Sequence, residues 1–106
     1  MNSILVVFCT CPDETTAKNL AAGLVGKQLA ACVNVLPGIR SIYRWQGEVQ
    51  DDGEALMVIK TSREAYPDLE SWLLEQHPYE LPEVIALPLE RGLPGYLDWV
   101  AQETKR

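Results

Sequence analysis

The chain has 106 residues, 47% of them hydrophobic and 23% charged, a balance that fits one folded domain over residues 1–106 and not a disordered polymer. Asp and Glu outnumber Lys and Arg fifteen to nine, for a formal net charge of −6, which disfavours a surface built to hold the phosphate backbone of nucleic acid. The apolar runs are far shorter than the roughly 20 residues that cross a bilayer, no basic leader precedes the first strand, and neither a glycine-rich phosphate loop nor a paired CxxC zinc pattern occurs. The expected protein is therefore cytoplasmic, without nucleic-acid or membrane partners and without an organic cofactor. Its three cysteines, Cys9, Cys11 and Cys32, are expected as free thiols.

Residues 3–9, SILVVFC, are apolar and rich in β-branched side chains, and predict a buried strand that stops at the polar TCPDE. Pro12, Asp13 and Glu14 suit the start of a helix. Ala17, Leu20, Ala21, Leu24 and Gln28 then recur at helical spacing on one side. A second strand begins at AACVNVLPG, where Pro37-Gly38 implies a bend or bulge, and continues through IRSIYRW. EALMVIKT is the third. Two places suit the hairpin turn between them: Asp52-Gly53, the stronger local signal, and Gln46-Gly47, the weaker.

Ser62 is placed to cap a second helix that runs to about Gln76 and buries Leu69, Trp72 and Leu73, with Tyr66 beside them and Pro67 in its first turn. HPYELP turns the chain into a fourth strand, EVIALPLER. A terminal helix from about Pro94 to Glu103 carries Tyr96, Leu97, Trp99 and Val100. The order β-α-β-β-α-β plus a helix predicts an α+β, ferredoxin-like sandwich with strand order 4-1-3-2. In that topology the first strand ends, the second helix ends and the fourth strand begins at one edge. Cys9, Cys11, His77, Glu80 and Glu83 should converge there, with Cys32 at the opposite edge.

Taken together, CPDETTAKNLA, LAACVNVLPGIRSIYRWQGEV, EALMVIKTS and HPYELPEVIALPLERGLPGYLDWV resemble the CutA divalent-cation-tolerance family over nearly the whole chain. The resemblance implies a fold related to the PII-like signalling proteins, a homotrimer, and association with divalent cations, copper in particular, rather than an established reaction. It also implies long second and third strands meeting at Gln46-Gly47, which makes Asp51-Asp52-Gly53 a bulge or kink in the third. Strands extended beyond so small a body would expose Tyr43 and Trp45 and an unpaired edge, and association of subunits would cover both.

The family's copper ligands, a cysteine ending the first strand and histidines before a proline-tyrosine pair, fall here on Cys9 and His77, with Gln76 where some relatives have a second histidine. Thiolate and imidazole suit monovalent or divalent copper, and also zinc. Cys11, Glu80 or Glu83 would have to complete so small a set. The plainer roles are a helix terminus for His77, ahead of Pro78, and core packing for Cys9 and Cys32. A helix dipole following Cys9 and Cys11 is expected to favour their thiolates, with Cys9 the first functional candidate and Cys11 the second. The alternative function is a PII-like regulator that binds a small ligand between subunits, in a cleft of Tyr43, Arg44, Trp45, Lys60, Tyr79 and Glu83. An enzyme with Cys9 as nucleophile, His77 as base and Glu83 as orienter ranks last, so the protein is read as no enzyme.

Overall fold

The computed structural model describes residues 3–106. Strand β1 (Ile4–Cys11) runs two residues past its expected end, because Thr10 and Cys11 go on pairing with Leu56 and Ala55 of the neighbouring strand. Helix α1 (Glu14–Gly26) starts where Asp13 accepts a hydrogen bond from the Thr16 amide at 2.7 Å. It buries Ala17, Leu20 and Leu24. Gln28, expected on that face, lies beyond the helix with φ 58°, and its side-chain amide donates to the Glu103 carbonyl instead.

Strands β2 (Cys32–Trp45) and β3 (Glu48–Ser62) form one long antiparallel hairpin. It turns at Gln46 and Gly47, with φ 50° and 82°, the pair of positive values that a two-residue turn needs to match the strand twist. The irregularity expected at Asp51-Asp52-Gly53 does not occur, since those three stay in register with Ile42, Ser41 and Arg40, but the bulge expected at Pro37-Gly38 does. The register shifts between Leu36 and Ile39, so Pro37 and Gly38 share the place opposite Ala55. Pro37 has no N–H to offer the ladder and Gly38 tolerates its φ of 74°, which is why the bulge forms in β2.

Ser62 closes β3 and does not cap the helix directly. Its hydroxyl accepts from the Ala65 amide at 3.1 Å, and α2 (Tyr66–Gln76) begins one residue later with Pro67 in its first turn. Leu69 and Leu73 are fully buried beneath α2. Trp72 lies against Gly23 of α1, where a Cβ would come within 2.5 Å of the indole. Strand β4 (Val84–Pro88) is shorter than expected, and α3 (Pro94–Glu103) packs Val100 with Ile4 and Ala31.

The sheet order is β2-β3-β1-β4, all antiparallel, so the fold is the ferredoxin-like α+β sandwich. Odd-numbered residues of β1 and β3, among them Val7, Cys9, Cys11, Met57 and Ile59, pack into one core with Leu20 and Leu24 of α1 and Leu69 and Leu73 of α2. Even-numbered residues point to the other side of the sheet, where Leu36, Ile85 and Leu87 are exposed. The hairpin extends well past this body, and the molecule measures 44 × 26 × 22 Å.

Candidate metal centre

The end of β1 and the end of α2 meet at the root of the hairpin. The period of two along β1 puts Cys9 and Cys11 on one face, and both are fully buried. Helix α2 ends as the His77 amide donates to the Leu73 carbonyl at 2.8 Å, and Pro78 holds His77 in an extended conformation. The imidazole turns inward and is 7% exposed. Its Nε2 lies 2.8 Å from the Thr10 carbonyl oxygen, and its Nδ1 accepts from the Tyr79 amide at 3.1 Å. The neutral tautomer with its proton on Nε2 satisfies both contacts. His77 thus ties the exit of α2 to the end of β1, the plainer role, and packs on Tyr79 with ring centroids 4.8 Å apart.

The sulfurs of Cys9 and Cys11 and the His77 ring nitrogens place one donor atom each within 4.8 Å of one another, the only such group found among the described residues. The two thiols are unequal. The hydrogen bond to Cys11 pushes the Cys9 thiol well above its usual range, helped by burial and by the negative charges of Cys11, Glu83 and Glu54. The same hydrogen bond lowers Cys11 against the opposing effect of burial. Cys11 therefore ionises first and Cys9 keeps its proton. For Cys9 the hydrogen bond with Cys11, then burial and nearby acids, outweigh the help expected from a helix terminus.

The donor set suits a soft or borderline ion. Thiolate sulfur sits about 2.3 Å and imidazole nitrogen about 2.1 Å from zinc, so two donors sharing an ion lie up to about 4.6 Å apart. The observed bound of 4.8 Å lies just beyond that range. A small inward shift, with release of one His77 hydrogen bond, would bring all three donors onto one ion.

Glu80 and Glu83 stand outside this group. Both are exposed and line a groove of about 840 Å³, together with Tyr43, Trp45, Glu54 and Tyr79. Lys60 is not among its lining residues, because β3 carries it to the register of Cys32 and Val6, where its ammonium donates to Asn34. Arg44 points its guanidinium at the Gly47 carbonyl, 3.1 Å away, at the tip of the hairpin. Cys32 lies at the far end of the sheet, as the topology requires.

Sequence reasoning missed Glu54. It is 9% exposed, and its Oε2 accepts from the Tyr79 hydroxyl at 2.6 Å. Burial, followed by this bond, raises the Tyr79 phenol. The available signal was positional: the last acid of Asp51, Asp52 and Glu54 stands directly before the alternating run Ala55, Met57, Ile59 of β3.

Comparison with known proteins places these residues in a wider group. The profile described as CutA1 divalent ion tolerance protein matches residues 5–103. Protein CutA of Mus musculus is 50% identical over 103 residues, which are 97% of this chain and 58% of the mouse protein. The chain thus spans little more than half the length of that relative. The solved structure of the divalent cation tolerance protein of Thermus thermophilus matches with a TM-score of 0.93 at 48% identity, covering 95% of this chain and 98% of that one. CutA of Xylella fastidiosa matches with a TM-score of 0.95 at 40% identity, covering 98% and 100%.

Proposed function

Because the chain belongs to the CutA1 divalent ion tolerance family, we propose that it serves divalent-cation tolerance or response by binding copper, or zinc, weakly at Cys9, Cys11 and His77. The observation that carries this is the approach of three donors from β1 and α2 to within 4.8 Å of one another. Two sulfurs and an imidazole favour Cu(I) over harder ions. Cys11 supplies the thiolate, Cys9 gives up the proton that its neighbours now help it keep, and His77 exchanges one hydrogen bond for a ligand bond. Those exchanges are why the binding is weak. Glu54 and Glu83, whose charges oppose ionisation of Cys9, favour a cation in the same place.

This function needs no catalytic step. The working unit is a homotrimer, supported by the exposed Ile42, Tyr43, Trp45 and Val49 on the projecting hairpin. A reducing cytoplasm suits the three free cysteines. No described helix is long and apolar enough to cross a membrane. A second function, regulation by a small ligand bound between subunits, is favoured by the groove of Tyr43, Trp45, Tyr79 and Glu83.

Calorimetric titration with Cu(I), Cu(II) and Zn(II) tests the metal site. Cys11→Ala and His77→Ala should each weaken Cu(I) binding at least about tenfold, the loss of one good ligand. Unchanged affinity for all three ions in both variants would rule the site out. Light scattering at micromolar concentration tests the trimer, and a monomer mass would refute it.

A further inference from the structure

We infer that the Tyr79 amide and the metal compete for His77, so that loading the buried site releases Tyr79 and is registered in the turn from Pro78 to Pro82; the inference rests on His77 being a ligand of the site proposed above. Both nitrogens of the imidazole are in use. Nε2 lies 2.8 Å from the Thr10 carbonyl oxygen, and Nδ1 accepts from the Tyr79 amide at 3.1 Å. A carbonyl only accepts and an amide N–H only donates, so the ring proton is on Nε2 and the free lone pair is on Nδ1.

A neutral imidazole offers a metal one lone pair, and either choice of nitrogen ends the bond from Tyr79. If Nδ1 is the ligand, its lone pair is spent on the ion, and Nε2 keeps its proton for the Thr10 carbonyl, a common support for a metal-bound histidine. If Nε2 is the ligand, the ring proton moves to Nδ1, and two N–H groups then face each other. The Thr10 contact survives only the first choice. The Tyr79 contact survives neither.

The turn is built to register that loss. Cys9, Cys11 and His77 are buried, whereas Tyr79 is half-buried and lines the groove at the hairpin root with Pro78 and residues 80–83. Tyr79 supplies both hydrogen bonds that tie residues 78–82 to the body among the described residues, its amide to His77 and its hydroxyl to Glu54 of β3 at 2.6 Å. Upstream, the His77 amide stays on the Leu73 carbonyl, which no exchange at the ring disturbs. Release therefore begins after His77, cuts one of two ties and leaves the turn held by Glu54 alone. Occupancy of a site without solvent exposure is carried in this way to residues that have it.

Hydrogen exchange on the full chain, without and with one equivalent of Cu(I) in anaerobic reducing buffer, tests the inference. A ligand that favours the native state slows exchange through global opening. The Tyr79 amide should do the opposite and exchange at least about threefold faster when loaded, the loss of one hydrogen bond, while Leu73 and Ile59 become no faster. A backbone ester at Tyr79, with oxygen in place of the amide N–H, keeps the side chain and removes only the competing donor. It should tighten Cu(I) binding roughly three- to tenfold, which a purely structural role for that amide would not do. If Cu(I) binds in a His77-dependent manner but Tyr79 exchange is unchanged or slower, the inference is overturned and the metal site stands. Unchanged or weaker Cu(I) binding by the ester overturns it as well. Cu(I) affinity unaffected by His77→Ala, or no Cu(I) binding at all, removes the ligand role of His77 and the inference together.

Discussion

Strands β2 and β3 pass through two environments on one ladder. In the body, Ala55, Met57 and Ile59 of β3 are at most 1% exposed, whereas towards the turn Ile42 and Val49 are 69% and 64% exposed. Backbone pairing runs on through both regions, from Cys32 with Lys60 to Trp45 with Glu48. Hydrogen bonding therefore does not distinguish them; burial does. The outer hairpin adds Arg40 with Asp51 at 2.9 Å and Tyr43 with Asp52 at 2.6 Å, and exposed contacts of this kind add little to stability. The body is held by packing. The hairpin is held by its ladder and its turn, and its apolar side chains await a neighbour.

The sharpest way to break that contrast is to empty the body. Leu69 is fully buried between α2 and the sheet, so Leu69→Ala should cost about 2–5 kcal/mol, the transfer of its methyl groups plus the cavity they leave. Urea denaturation would measure it. A loss below about 1 kcal/mol would mean that the body can collapse around the gap and is not held by close packing.

His77 lies where body and hairpin join, and its effect should be intermediate. His77→Ala in metal-free protein strands the Tyr79 amide and leaves the Thr10 carbonyl only the weak Cys9 thiol donor, and should cost about 2 kcal/mol in the same assay. The loss should also free Tyr79, seen as faster amide exchange there than at Leu73. If stability stays within about 0.5 kcal/mol of wild type, the imidazole is no structural tie and only the ligand role is left for it.

Most of the body was legible in the sequence, because its signals are local and periodic. Asp13 before an apolar helical stripe and the alternation of Ala55, Met57 and Ile59 each specify an element without help from distant residues. The meeting of Cys9, Cys11 and His77 followed from strand order alone. The hairpin was harder: Pro37-Gly38 signalled its bulge locally, but Asp52-Gly53 is the stronger dipeptide turn, and only the family resemblance placed the turn at Gln46-Gly47. The electrostatics of the site were not legible. The Cys9 thiol is raised by its hydrogen bond with Cys11, then by burial and by Glu83 and Glu54, and Glu54 is fixed by a hydroxyl 25 positions away.

The smallest change tests the hairpin by its own logic. Gln46 holds φ at 50° with no glycine to relieve it, and Gly47 follows at 82°. Asparagine enters that left-handed region more readily than glutamine, and Asn-Gly is the favoured pair for this turn. Gln46→Asn should therefore stabilise the protein by about 0.5 kcal/mol without touching any packed residue. The same urea titration reads it, with amide exchange at Arg44 and Val49 slowing more than at Ile59. A gain spread evenly to Ile59 would mean that hairpin and body unfold as one unit, and the contrast between them would then be one of burial alone. A loss of stability would show that the Gln46 side chain contributes something the backbone conformation does not account for.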